Sequence, residues 1–241
     1  MITETLTPQT LAGMIDHTFL KPFGTPQDIE KLCDEARRYS FAMVAVNPAE
    51  VTTCVRLLAG SPVRVGAAIG FPLGQNTSAV KAFETRDAIQ NGAGEIDMVI
   101  NLRALQAGDT TLLRKEIVDM VQACRPARVI CKVILETCYL TDPQKRLVCQ
   151  MAVETGADFV KTSTGFGPAG ATVEDVRLIR TVVGPQMGVK AAGGVCNLSI
   201  ALEMIEAGAT RIGTSASVSI VEELRARRGM TVVRVSRSAQ P

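Results

Sequence analysis

Short apolar runs, rich in β-branched residues and closed by Gly, Pro or Asn, recur along the whole chain. They read as strands at 13–18 (GMIDHT), 41–46 (FAMVAV), 63–70 (VRVGAAIG), 95–100 (EIDMVI), 129–135 (VICKVIL), 158–163 (DFVKTS), 188–192 (GVKAA) and 210–215 (TRIGTS). The segments between them carry the helical period, and several open on a start signal. Thr25-Pro26 is followed by Asp28, Thr141-Asp142-Pro143-Gln144 forms a capping box, and Thr172 precedes Glu174 and Asp175. Strands that alternate with helices pair in parallel through crossovers. Eight such units fill the length without an obvious linker, so the pattern predicts an α/β fold, a closed (β/α)8 TIM barrel with a short N-terminal helix closing the bottom. One barrel domain is expected over 1–228, followed by a tail, 229–241, that need not be ordered. The alternative, an open doubly wound sheet, would be favoured by G-x-G-x-x-G after the first strand, which the sequence lacks.

A weak internal repeat supports the barrel. QNGAGEID (90–97), ETGADFVK (154–161) and EAGATRIG (206–213) share Gly-Ala, two variable residues, then Ile or Val. Gly92, Gly156 and Gly208 fit the left-handed residue that ends a helix. Five residues after each glycine come Asp97, Lys161 and Gly213. The same helix-to-strand joint therefore delivers an acid, an amine and a small residue into equivalent strands.

Catalytic groups of a barrel collect where its strands finish. Lys132 begins a strand and belongs near its middle or bottom, in a structural role. Lys161 and Lys190 are followed almost at once by Thr-Ser-Thr-Gly and Ala-Ala-Gly-Gly, which places both near the top of consecutive strands. Two ammonium groups about 5 Å apart, at an effective dielectric of ~20, repel by roughly 3 kcal/mol. That repulsion would lower one lysine by about two pKa units, and desolvation pushes the same way. An amine so adjusted can attack a carbonyl and form a Schiff base. The competing reading makes each lysine an ion-pair partner in a polar barrel layer. Asp97 is the candidate proton shuttle, Asp16 a second candidate for substrate or water contact, and Glu136 a weaker one. The last strands supply Gly165, Gly167, Gly193, Gly194, Gly213, Thr214 and Ser215, suited either to tight turns or to a phosphate cradle built from backbone N–H groups.

Composition narrows the classes. The 241 residues are 46% hydrophobic, enough for a full core, and carry a net charge of +2 from scattered basic residues. With two tyrosines and no tryptophan, a nucleic-acid surface is not expected. None of the seven cysteines forms a C-x-x-C pair, and His17 is the single histidine, so free thiols in a reducing cytosol are expected, and no metal site. The N-terminus lacks the pattern of a signal peptide, and no apolar stretch approaches the ~18 residues of a membrane span.

IDHTFLKP, GFPLGQN, GEIDMVINL, KVILET, FVKTSTGFG, GVKAAGG and RIGTS, in this order between about residues 11 and 217, together resemble the deoxyribose-phosphate aldolases, a family of class I aldolases with a (β/α)8 barrel. The resemblance implies that Lys161 forms the Schiff base, that Lys190 lowers its pKa and that Asp97 serves the proton relay. It also implies that Asp16 and Thr18 line the substrate site, and that Gly165, Gly193, Gly194, Gly213 and Ser215 form the phosphate end. The implied reaction is reversible cleavage of 2-deoxy-D-ribose 5-phosphate to glyceraldehyde 3-phosphate and acetaldehyde. No cofactor or metal, no membrane or nucleic-acid partner, a cytoplasmic location and a homodimer are the accompanying expectations. Two departures stand out: Ala45 occupies the VAVNP position where members often carry cysteine, and the tail lacks the C-terminal tyrosine of some members. Open alternatives are another class I aldolase, acting on a different phosphosugar or a keto-acid, and a sugar-phosphate-binding barrel without catalysis.

Overall fold

In the computed structural model, the backbone is described for residues 4–227 and 232–233, and side chains for residues 6–227. Eight parallel strands close into a barrel: β1 (Ile15–Thr18), β2 (Met43–Val46), β3 (Arg64–Ile69), β4 (Glu95–Val99), β5 (Ile130–Ile134), β6 (Phe159–Lys161), β7 (Gly188–Ala192) and β8 (Arg211–Thr214). Each strand pairs with the next, and β8 returns to β1 through Ile15↔Ile212 and Asp16↔Gly213. All eight predicted strands are present, some shorter than their apolar runs. β6 stops at Lys161 because Thr162 turns its side chain to β7, where its hydroxyl bridges the Ala192 backbone N–H and carbonyl at 3.1 and 3.2 Å.

The helices form the outer ring: α1 (Pro8–Ala12), α2 (Pro26–Tyr39), α3 (Val51–Leu57), α4 (Ser78–Gln90), α5 (Leu102–Gln106), α6 (Thr110–Cys124), α7 (Asp142–Thr155), α8 (Val173–Val183), α9 (Leu198–Glu206) and α10 (Ser217–Ala226). The predicted caps are made. Thr25 and Asp28 exchange bonds at 3.3 and 2.8 Å, Gln144 accepts from the Thr141 N–H at 2.9 Å, and Thr172 accepts from the Asp175 N–H at 3.1 Å. Gly92, Gly156 and Gly208 all have positive φ, as their repeated joint requires. Short α1 leads directly into the N-terminal end of β1, buries Leu11 and Ala12, and packs on α10. The expected tail, 229–241, lies outside the described residues except for Val232–Val233, which pair antiparallel with Glu4–Thr5.

Both faces of the sheet are buried, but with opposite chemistry. Ile96, Val133, Val160, Val189 and Ile212 are buried in the apolar core, while the residues beside them, Glu95, Asp97, Lys132, Lys161, Lys190 and Arg211, are buried around one another in the lumen. Side chains of that length need room, and glycines in the strands provide it. A Cβ at Gly66 would collide with the Met43 thioether, one at Gly188 with the Phe159 ring, and one at Gly213 would come to 2.9 Å from Lys190 Cε. The Phe159 ring in turn lies beneath Lys132 and Arg211, 5.9 and 5.3 Å from their charged groups. His17, next to Asp16 on β1, bonds Glu35 of α2 and Ser217 of α10, both at 2.8 Å.

This packing gives the first prediction. Gly188→Ala should lower stability by about 1–3 kcal/mol through overpacking against Phe159, read as a fall in the urea midpoint. The Gly188→Ala/Phe159→Leu pair should cost less than the sum of its singles. Additive costs would show that Gly188 is not where the ring finds its space.

Candidate active site

β6 and β7 are adjacent and in register at Lys161↔Lys190, so the fold alone places the two lysines side by side. Between them sits Asp97, from β4 across the lumen. Its Oδ2 receives Lys161 Nζ at 2.9 Å and Lys190 Nζ at 2.7 Å, and its Oδ1 receives Lys132 Nζ at 2.7 Å. Lys190 continues to Asp16 Oδ2 at 2.5 Å, and Arg211 holds Asp16 Oδ1 at 2.6 Å. Arg211 and Lys132 both reach Glu95, the former at 3.3 Å. Glu95, Lys132, Asp97, Lys190, Asp16 and Arg211 thus form a closed ring in which negative and positive groups alternate. Among the described residues, Lys161 hangs from this ring by Asp97 alone.

Electrostatics follow from that geometry. Burial strongly disfavours the Lys161 ammonium; the attraction of Asp97 opposes this, Lys190 adds to it, and the pKa falls from 10.5 to about 8. The sequence expectation rested on repulsion between two lysines. The structure keeps that contribution but ranks burial above it, and sets a shared carboxylate between the two nitrogens. For Asp97, burial pushes the carboxyl upward, but Lys132, Lys161 and Lys190 together outweigh it and hold the pKa well below the usual range. Asp16 is likewise lowered to about 2 by Arg211, Lys190 and Lys132 against its burial. Lys132 is pushed up, because Asp97, Glu95 and Asp16 together overcome desolvation. The structure therefore holds two firm carboxylates, a firm lysine and one lysine poised to lose its proton.

Lys132 stands at the depth expected of it, in the middle of its strand, but its grip on Asp97 makes it part of the site rather than only a strut. Thr18 is half-buried beside Asp16 and turns its hydroxyl back to the Asp16 carbonyl at 2.9 Å. Gly213 leaves room for the Lys190 stem, which a Cβ there would meet at 2.9 Å. Glu136 does not reach the lysines through any bond in the structure. It accepts from the Thr164 N–H at 3.2 Å and from the Thr164 hydroxyl, and so fixes the loop that follows Lys161.

The loops after β6 and β7 approach each other backbone to backbone. Gly165 and Gly193 have φ of 85° and 84°, and a Cβ on Gly193 would lie 3.3 Å from Gly165 Cα. Gly194, with φ of 77°, faces open space. After β8, Thr214 accepts from the Ala216 N–H at 2.9 Å, which shapes the turn into α10 and leaves Ser215 exposed beside the helix start. Phe71, in the loop after β3, lies 5.9 Å from Lys161 Nζ and packs edge-on against Phe166 at 5.3 Å. Neither ring was singled out by sequence. Glu95 and Arg211 were also missed, although each lies two residues ahead of a singled-out position, Asp97 or Gly213, and so on the same strand face. Ala45 is buried on β2 and brings no polar atom to its position.

Comparison with known proteins places the chain in a family. Residues 10–234 match the DeoC/LacD family of aldolases. A deoxyribose-phosphate aldolase of Bacteroides thetaiotaomicron is 70% identical over 217 residues, covering 90% of this chain and 91% of the relative. One from a Geobacillus species is 55% identical over 212 residues, covering 88% and 95%. The solved tetrameric deoxyribose phosphate aldolase of Aeropyrum pernix superposes with a TM-score of 0.85 at 32% identity, covering 92% of this chain and 93% of that one. A family match over nearly the whole barrel, joined to this lysine-lined lumen, leads to one conclusion: the chain belongs to the DeoC/LacD family of aldolases.

Proposed function

We propose that this aldolase cleaves 2-deoxy-D-ribose 5-phosphate reversibly to D-glyceraldehyde 3-phosphate and acetaldehyde, with Lys161 as the nucleophile. The observation that carries the reading is the buried Lys161 amine, lowered to about 8 and held 2.9 Å from a carboxylate oxygen that also holds Lys190. Neutral Lys161 Nζ adds to C1 of the open-chain sugar, and loss of water gives the iminium. Breaking C2–C3 sends its electron pair into that iminium to form the enamine, while the C3 hydroxyl gives up its proton and becomes the aldehyde of glyceraldehyde 3-phosphate. The enamine carbon then takes a proton, and water releases acetaldehyde from Lys161.

Asp97 is the natural relay for these transfers, because one of its oxygens touches both amines. With its pKa held so low, it serves as a fixed acceptor that orients Lys190 rather than as a strong base. Asp16 and Thr18 flank the sugar, and the backbone of Gly165, Gly193 and Gly194, with Ser215 at the start of α10, would receive the phosphate. A self-associating, cytoplasmic protein belongs to the same proposal. Support comes from the tetramer of the Aeropyrum pernix relative, the exposed Leu73 and Phe83, and seven free cysteines. Among the described residues no helix is long and apolar enough to cross a membrane.

Borohydride reduction with acetaldehyde should leave a two-carbon adduct on Lys161, mapped by mass spectrometry, and Lys161→Met should abolish it. An unmodified wild-type chain would refute the reading. In a substrate panel, release of acetaldehyde from the deoxy sugar, with no cleavage of keto-acids, is the expected outcome. Asp97→Asn should still trap but turn over about a hundredfold more slowly, as expected for lost acid–base help. Turnover near wild type would remove Asp97 from the mechanism. Lys190→Met removes a neighbouring positive charge, so Lys161 should hold its proton more tightly. The rise of trapping rate with pH, centred near 8 in the wild type, should then move to higher pH.

A further inference from the structure

The reaction as proposed gives no task to Glu95. This carboxylate opens β4, two residues ahead of Asp97 on the inward face, and its side chain is 0% exposed. It meets Lys132, and both of its oxygens lie 3.3 Å from Arg211 Nη1. Arg64, at the start of β3 and half exposed, approaches it at 3.4 Å. Lys132 passes on to Asp97 and Arg211 to Asp16, at 2.7 and 2.6 Å, and those two carboxylates meet again at Lys190. Glu95 therefore closes the lower side of the ring, one layer beneath the lysine that reacts. Among the described residues, the only other carboxylate that approaches both Lys132 and Arg211 is Asp16, whose oxygen stands 3.9 Å from Lys132.

We propose that Glu95 is a positioning residue of the aldol reaction, holding Lys132 and Arg211 so that Asp97 and Asp16 are fixed in place and the ring is electrically balanced without Lys161. Charge counting gives the reason. With half-exposed Arg64 left to the solvent, Glu95, Asp97 and Asp16 match Lys132, Lys190 and Arg211 one to one, so Lys161 is the cation left over in a lumen almost closed to solvent. A buried charge without its own partner is the one a protein neutralises first. Positioning also matters separately from charge. Asp97 Oδ2 can face two amines only while Oδ1 is tied down by Lys132, and Lys132 is itself oriented from below by Glu95.

This inference rests on Lys161 as the Schiff-base lysine, and its test separates the two. Glu95→Gln and Glu95→Asp are compared with the wild type in the pH dependence of acetaldehyde trapping on Lys161, in kcat and KM for cleavage of 2-deoxyribose 5-phosphate, and in urea unfolding. Glu95→Gln leaves the ring with one positive charge in excess. The acid limb of trapping should move down by roughly one pH unit, the effect of a unit charge on the order of 10 Å away at an effective dielectric of ~20. The same variant should lose about ten- to a hundredfold in kcat, with KM little changed, because the relay is misplaced rather than the substrate unbound. Glu95→Asp keeps the charge with a shorter arm, so its limb should stay with the wild type while kcat falls. A loss of unfolding stability in Glu95→Gln with an unmoved limb would overturn the assignment. Should Glu95→Gln fail to fold, Glu95→Asp decides alone: a lower kcat at unchanged KM supports the assignment, and wild-type kcat overturns it. Absence of any wild-type adduct on Lys161 would instead sink the Schiff-base reading itself.

Discussion

Asp97 Oδ2 carries two lysine nitrogens at once, and the rest of the lumen can be understood as what makes that sharing tolerable. A lone carboxylate buried at the centre of a barrel would be driven to protonate. Three lysines prevent this, and Asp97 remains ionised. Three lysines around one carboxylate would in turn leave an excess of positive charge, which Asp16 and Glu95 absorb through Lys190, Lys132 and Arg211. The remaining imbalance sits on Lys161. Its lowered pKa thus comes from burial first and from the whole array, more than from a single neighbour.

The backbone is fitted to that array. A parallel barrel normally fills its lumen with branched aliphatic side chains in layers. Here long charged side chains fill it instead, and Gly66, Gly188 and Gly213 supply the space that Met43, Phe159 and Lys190 occupy. Buried ion pairs stabilise a fold only when geometry and charge are well matched, because desolvation opposes them. The outward face of the same strands, with Ile96, Val133, Val160, Val189 and Ile212 packed into the helical ring, provides the apolar burial that offsets this cost. Stability and chemistry are thereby divided between the two faces of one sheet.

That division also explains what could be read from sequence. Strands such as EIDMV and GVKAA look nearly apolar because one face is core, so a charge within them is conspicuous and marks the lumen. Lys161, Lys190, Asp97 and Asp16 were legible for this reason, and strand order brought them together. The glycine joints at Gly92, Gly156 and Gly208 were legible because a left-handed helix end has few alternatives to glycine. Arg211 and Glu95 were not singled out, because they lie at the first positions of their strands, where a charge reads as a solvated end. A second duty of Gly213 was hidden for a related reason: the sequence displays the glycine but not the Lys190 stem lying across it. Phe71 and Phe166 sit in loops, and no periodic pattern relates them to Lys161.

The claim at the centre is that the lumen lowers the Lys161 pKa to about 8, so that a working fraction of the amine is neutral near neutral pH, while Asp97 stays charged. A ¹⁵N-detected NMR titration of lysine side chains, with Lys161 assigned by its loss in Lys161→Met, addresses this directly. A midpoint near 8 for the Lys161 amine is expected. A midpoint near ~10.4, the ordinary value for a lysine in water, would contradict it.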